Sequence, residues 1–263
     1  MKKNIHTFIV LAYKESKYLE DCIKSVLNQK YKSNIIIATS TPNKYIEKIA
    51  KKYNLKINVN KAKKGIGYDF DYAISCGTTE LVTIAHQDDI YDYDYSDNVV
   101  KAYNKNKDSI ILFSNYYEIR NNDKIDKNLN LSIKKILLFP LRFHNISKFK
   151  FIKRCALRFG NAICCPAVTF VKKNVPKEIF SSNLKCNVDW YAWEKLSKLN
   201  GKFYYINNYL MGHRIYSEST TSEIIRKNTR TIEDYQIFQK FWPKPIAKFI
   251  TKLYSNSEKS NNL

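Results

Sequence analysis

Apolar and polar positions over residues 6–85 alternate between a strand period and a helix period. A continuous apolar run at residues 6–12 reads as a buried strand. Leu19, Cys22, Ile23, Val26 and Leu27 then recur at helical spacing, behind a candidate cap at Ser16. Residues 34–38 form a second strand, Ile46, Ile49, Ala50 and Tyr53 a second helix face, and residues 55–59 a third strand. After Gly65-Ile-Gly67 the pattern predicts a helix over 69–76 and a strand over 81–85. Alternation of this kind predicts an α/β fold, a mostly parallel sheet with helices on both faces. Ligands of such sheets bind beyond the carboxyl ends of the strands.

Further on, the pattern predicts a helix over 95–106 and strands over 109–114, 166–171 and 203–206. A helix over 189–199 and two terminal helices, 224–241 and 246–253, complete it, with Pro243 and Pro245 breaking the last pair apart. The expected organisation is one domain over residues 1–221, with halves 1–115 and 116–221. C-terminal helices over 222–254 and a disordered tail over 255–263 follow.

Composition narrows the class. A chain of 263 residues, 44% hydrophobic, can bury a sizeable core and is not of a disordered type. Six cysteines occur without a Cys-x-x-Cys pair or zinc-finger spacing, so free thiols are expected. The apolar run after Met1-Lys2-Lys3 is short and lacks a cleavage site, so it reads as a strand rather than a leader. No stretch approaches the roughly 18 to 20 apolar residues that cross a bilayer, and the expected location is cytoplasmic.

A formal charge of +21 admits nucleic acid, an anionic membrane or an acidic substrate as partner. It is unevenly spread: residues 127–177 hold twelve Lys or Arg and no Asp or Glu. Leu137, Leu138, Phe139, Leu141, Phe143, Phe149 and Phe151 are mixed among them, which predicts short amphipathic helices. An interfacial surface for anionic headgroups, attached peripherally to the inner face of the cell membrane, and a solvated basic face over ordinary core both fit that pattern.

Three segments carry candidate chemistry. In Ala85-His86-Gln87-Asp88-Asp89 carboxylates arrive directly after a buried strand, where hard oxygen ligands suit Mg²⁺ or Mn²⁺; the same carboxylates could instead cap the next helix. In Asn187-Val188-Asp189-Trp190-Tyr191-Ala192-Trp193, a carboxylate beside aromatic faces fits a sugar-sized pocket and equally fits a helix cap with core tryptophans. In Gly212-His213-Arg214-Ile215-Tyr216, continuing to Ser219, an arginine with nearby hydroxyls suits phosphate, as would a solvated loop.

The order and spacing of these segments resemble family 2 glycosyltransferases over essentially the whole chain. That family opens with a strand, a Pro-Tyr-Asn-Glu type turn and a helix ending Ser-Val-Leu-x-Gln. Here Ala12-Tyr13-Lys14-Glu15 is followed by Tyr18-Leu19-Glu20-Asp21-Cys22-Ile23-Lys24-Ser25-Val26-Leu27-Asn28-Gln29. The family's Asp-x-Asp motif falls on His86-Gln87-Asp88, with His86 in place of the first aspartate. Its Glu-Asp pair falls on Val188-Asp189, and its Arg-x-His-x-x-Ser pattern on Arg214, Tyr216 and Ser219.

The resemblance implies a GT-A fold and transfer of a sugar from a nucleotide-sugar donor to an acceptor hydroxyl, inverting and metal-dependent. It implies Asp189 as general base, Asp88 and Asp89 as metal ligands, and Trp190 and Trp193 on the acceptor side. Donor contacts are implied for Ala12, Tyr13, Glu15, Thr39, Asp71, His86, Gln87, Arg214 and Ser219. The expected acceptor is a glycan or lipid-linked molecule in cell-surface polysaccharide or glycolipid synthesis. Two departures stand out: residues 38–43 lack the usual acidic turn after strand two, and Asp71 replaces the family's asparagine. A catalytically impaired relative is one alternative. A basic nucleic-acid-binding module is the other, but the acidic cluster at a strand end would repel a phosphate backbone, and no nucleic-acid partner is expected.

Overall fold

A computed structural model of the chain describes residues 4–62, 65–216 and 229–260, and side chains as far as Ser255. The first half follows the hydrophobic pattern: β1 (His6–Ala12), α1 (Leu19–Leu27), β2 (Asn34–Thr39), α2 (Lys44–Lys52), β3 (Lys56–Val59), α3 (Ile66–Cys76) and β4 (Leu81–His86). Then come β5 (Ile90–Tyr91), α4 (Tyr95–Lys105), β6 (Ser109–Arg120) and β7 (Asp123–Ile125). The expected short amphipathic helices are α5 (Leu129–Leu138) and α6 (Lys150–Cys155). The chain ends with β8 (Val168–Val171), α7 (Val188–Ser197), β9 (Lys202–Arg214), α8 (Thr229–Phe238) and α9 (Lys244–Ser260).

Among the described residues the strands form one sheet in the order β3-β2-β1-β4-β8-β6-β9-β5, with β7 paired to β6. β1 to β4 are parallel throughout. β8 enters antiparallel to both β4 and β6, whereas β6 and β9 are parallel, so the second half is mixed. One core packs Phe70, Phe170, Trp193 and Phe238 from α3, β8, α7 and α8 on one face of the sheet. The other packs Phe8, Ile23, Ile46, Val99 and Leu112 against α1, α2 and α4. Adjacent residues of β1 divide between them, Ile9 to the first and Phe8 and Val10 to the second, as strand alternation requires.

A buried polar chain crosses the centre of the sheet. Ser33 Oγ, His6, Thr83, Thr169 and Tyr95 OH follow one another at 2.7, 2.8, 2.6 and 3.1 Å. Burial lowers the His6 pKa to about 3, so the ring is neutral, its Nε2 joining β1 to Thr83 on β4 and its Nδ1 reaching Ser33 just before β2.

Three boundaries differ from the sequence expectation. α1 begins after Tyr18, because the Ser16 carbonyl, rather than its side chain, accepts the Leu19 N–H at 3.1 Å. β6 and β9 run well past residues 114 and 206, where Asn115, Glu118, Asn207 and Asn208 interrupt the apolar run and pairing with each other, with β7 and with β5 continues both strands. Of the expected disordered tail, residues 255–260 continue α9, since Tyr254 packs on Trp190 and Phe238 and lengthening an anchored helix needs only propagation, while 261–263 lie outside the described residues.

Asp71 fastens α3 to the segment that leads into α7. Its carboxylate accepts from the backbone N–H groups of Ile179, Phe180 and Ser181 and from Ser181 Oγ, at 2.6 to 3.0 Å. The donor contact expected of Asp71 is therefore corrected: both oxygens are committed to the protein, at a residue only 7% exposed. Gly67 lies one turn earlier on α3, where a Cβ would stand 2.5 Å from Phe180 O, so the helix and this segment meet backbone to backbone. Asp71→Ala strands three backbone donors and should lower stability by about 3 kcal/mol or more. A urea midpoint equal to the parent's would refute that tie.

Candidate active site

The turns after β1, β2 and β4 meet beyond the carboxyl ends of these parallel strands, where sheets of this kind place their ligand crevice. The Gln87 side chain pairs with the backbone N–H and C=O of Tyr13, each at 3.0 Å, and locks the turn after β1 to the turn after β4. Lys14, at φ 54°, donates its N–H to Thr41 Oγ1 at 2.6 Å. Thr39 Oγ1 accepts the Thr41 N–H at 3.0 Å, and its carbonyl accepts the Asn60 N–H. Gln87 and Thr39 thus shape the crevice with side chains already engaged, and the Ala12 side chain is buried beneath it. Tyr13 and Glu15 stand exposed at its edge.

The carboxylate missing from the turn after β2 is supplied from elsewhere. Asp69 on α3 accepts from Ser40 Oγ and Asn60 Nδ2, both at 2.8 Å, beside the ends of β2 and β3. Its proximity to residue 40 depends on how α3 crosses the sheet. The one clue in the sequence was an acidic residue at the start of a helix after Gly65-Ile-Gly67.

On the β4 side the two consecutive aspartates separate. Asp89 is fully buried, and its Oδ1 accepts the Arg214 backbone N–H at 2.9 Å and pairs with His213 Nδ1 at 3.0 Å. Through Oδ1 this carboxylate joins the end of β4 to the end of β9; its Oδ2, without a partner among the described residues, is the oxygen that the expected metal role would use. Burial disfavours charge on His213, but the neighbouring Asp89 and Asp88 outweigh it and raise its pKa. Asp88 stays half-buried at the crevice, with Oδ2 accepting the Tyr216 hydroxyl at 3.0 Å and its carbonyl accepting Arg214 Nε at 3.0 Å. The Arg214 guanidinium lies 4.1 Å over the Tyr18 ring, which meets the Tyr216 ring at 5.3 Å. Tyr216 stands in the place of the motif histidine and Tyr18 opens the helix motif, and the contact between them was not expected from the sequence. Ser219 lies outside the described residues.

Among the described residues no three His, Cys, Asp or Glu converge as a metal cage. Asp88 can still serve as the single protein carboxylate of an ion whose other ligands come from substrate phosphates and water, a usual arrangement for Mg²⁺. Burial lowers the His86 pKa, leaving a neutral imidazole, and its Nε2 is a buried atom with no hydrogen-bond partner among the described residues. Asp89 Oδ2 and Asn161 Oδ1 are orphaned in the same way. The donor set fits an ion completed by its substrate, with Asp88 as the protein's carboxylate.

Asp189 occupies the first turn of α7. Its Oδ2 accepts Asn161 Nδ2 at 2.7 Å and its Oδ1 the Trp190 N–H at 2.8 Å. Burial raises its pKa, partly offset by those two hydrogen bonds and by Arg230. His86 feels the charges of Asp89, Asp88 and Asp189, so the ends of β4 and α7 share one electrostatic neighbourhood. The entry to α7 is held from α8: Glu233 accepts the backbone N–H groups of Lys185, Cys186 and Asn187 at 2.7 to 2.9 Å, and Asp234 accepts Asn187 Nδ2 at 2.7 Å. The acceptor-side role expected of Trp190 and Trp193 is corrected. Both are fully buried, with indole N–H groups donating to Leu157 O and Ile163 O, so they offer no face to a ligand.

Residues 7–180 match the family description "Glycosyl transferase family 2". An uncharacterized glycosyltransferase of Methanocaldococcus jannaschii is 24% identical over 262 residues, spanning 97% of this chain and 84% of that protein. Among solved structures, S. aureus TarS in complex with UDP-GlcNAc superposes with a TM-score of 0.63 at 13% identity, covering 94% of this chain and 70% of that one. The mannosyltransferase PcManGT of Pyrobaculum calidifontis, in complex with GDP-Man and Mn²⁺, gives 0.59 at 15% identity, covering 97% and 70%. These two structures share the fold. With the family match covering well over half the sequence, the chain belongs to glycosyltransferase family 2 and has the GT-A fold.

Proposed function

We propose that this enzyme transfers a sugar from a nucleoside-diphosphate sugar to an acceptor hydroxyl by a single inverting displacement, with Asp189 as general base. The observation that carries the reading is the setting of Asp189. It is a half-buried carboxylate with a raised pKa, oriented by Asn161 and the Trp190 N–H, in the same electrostatic neighbourhood as Asp88 at the end of β4. A base on one side and charge-stabilising groups on the other are what the displacement requires.

In this mechanism Asp189 takes the acceptor proton as the acceptor oxygen forms its bond to the anomeric carbon. The bond from that carbon to the phosphate oxygen breaks, and the nucleoside diphosphate leaves with the electron pair. Arg214, stacked on Tyr18 beside Asp88, faces the leaving group with positive charge. A divalent ion held by Asp88 would supply further charge neutralisation at the diphosphate. Asp69, hydrogen-bonded through both oxygens to Ser40 and Asn60 and buried, braces the ends of β2 and β3 against which the base would lie. The complexes of TarS with UDP-GlcNAc and of PcManGT with GDP-Man and Mn²⁺ support a nucleotide-sugar donor. The acceptor proposed is a glycan or a lipid-linked glycan.

Two variants test the two sides separately. Asp88→Asn should abolish the metal dependence of donor binding, read by titrating a panel of nucleotide sugars with and without Mn²⁺ in a calorimeter; unchanged metal-dependent affinity would remove Asp88 from the site. Asp189→Asn should bind donor normally and lose about 10²- to 10⁴-fold in kcat. Because the base works deprotonated and its pKa is raised, the parent's acid limb in kcat/KM should fall at a pH above the ordinary aspartate value of 3.8. A folded Asp189→Asn enzyme turning over at the parental rate would show that another group takes the proton.

A further inference from the structure

The segment between β7 and β8 and the last helix expose more large apolar side chains than a surface in water requires. On α5, Leu129 and Ile136 are 72% and 71% exposed, and on α6 Phe151 is 68% exposed. Between these helices the rings of Phe139 and Phe143 meet edge-on at 5.5 Å with half of each still open to solvent. α9 adds Ile246, Phe249 and Leu253 at helical spacing, on the opposite side from Ala247 and Thr251, which pack inward. Single exposed apolar residues are ordinary, whereas successive elements all doing this mark an interaction surface.

Charge follows the same elements. Residues 127–177 have twelve cations and no acid, and residues 235–257 again contain no Asp or Glu, with Lys240, Lys244, Lys248 and Lys252 every fourth residue. The two stretches touch: Arg154 donates to Lys240 O at 2.7 Å and lies 4.7 Å over Phe241, while Arg158 lies over both Phe159 and Trp242.

We infer that α5, α6 and α9 form a docking face for an anionic lipid bilayer. Phenylalanine and aliphatic side chains enter the headgroup boundary, and the long cations reach lipid phosphates while their stems lie along the apolar surface. Charge selects this occupant. A second copy of the chain would set cations against cations, and a nucleic acid would leave the exposed aliphatics unused. The position suits the enzyme, because the segment after α6 supplies Leu157 O to Trp190 and Asn161 to Asp189, so a bilayer here lies beside the base. The inference concerns attachment alone and stands whether or not the proposed transfer is correct.

The test is co-sedimentation of the full chain with vesicles of phosphatidylcholine alone and with added phosphatidylglycerol, at rising salt. Binding should require the anionic lipid and weaken steeply as salt is raised through the physiological range. The double variant Lys148→Glu/Lys150→Glu should lose at least roughly fivefold in partitioning per residue changed. Phe143→Ser/Phe151→Ser and Phe249→Ser should each weaken binding while keeping the parent's circular dichroism melting curve, since all three side chains are exposed. Equal partitioning onto neutral and anionic vesicles, absence of binding to both, tighter binding to a DNA duplex than to anionic vesicles, or self-association that these variants abolish would each overturn the inference.

Discussion

The active-site crevice depends on the buried carboxylate of Asp89. A charge removed from water in this way costs several kcal/mol unless its oxygens are hydrogen-bonded or paired. Here the Arg214 backbone N–H and His213 meet that demand at Oδ1, with Oδ2 left without a partner among the described residues, and in doing so they hold the last residues of β9 against the end of β4. The arrangement around Asp88 follows from that join. Arg214 comes to lie over Tyr18 on the turn before α1, and Tyr216 reaches Asp88, so three segments far apart in sequence surround one carboxylate.

The opposite wall is built by the same means. Asp71 and Glu233 each gather three consecutive backbone N–H groups, one set before and one set at the entry to α7. Asp189 is therefore presented by a helix whose first turn is fixed from α3 on one side and from α8 on the other. The C-terminal helices pack into the same core as α7, with Phe238 and Tyr254 directly on Trp190.

This use of acids helps explain the surface charge. The chain has 24 Asp and Glu against 45 Lys and Arg, and several of those acids are consumed inside the protein as backbone anchors. Lysines and arginines remain on the outside with few carboxylates beside them. Between β7 and β8 and along α9 they stand among exposed aromatic and aliphatic side chains, which turns a compositional bias into an amphipathic face.

The sequence by itself determined the alternating first half, the membership of glycosyltransferase family 2 and the positions of Asp88 at a strand end and Asp189 at a helix start. These are local matters: a period of apolar residues specifies helix or strand, and a motif of contiguous residues travels with its turn. Tertiary structure decided what contiguity cannot encode. Asp88 and Asp89 are adjacent, yet one faces the crevice and the other is buried, because only pairing of β5 and β9 fixes which carboxylate meets the Arg214 N–H. Trp190 and Trp193 lie beside Asp189 in sequence but point into the core, since α7 turns their side of the helix toward Phe170 and Phe238. Asp71 left the donor crevice for the segment at 179–181, while Asp69, two residues earlier and on another face of α3, took the place after β2 that the sequence left without an acid. Helical geometry turns each residue by about 100°, so side chains two apart look in nearly opposite directions. Which of them meets a ligand is set by the packing of that helix on the sheet.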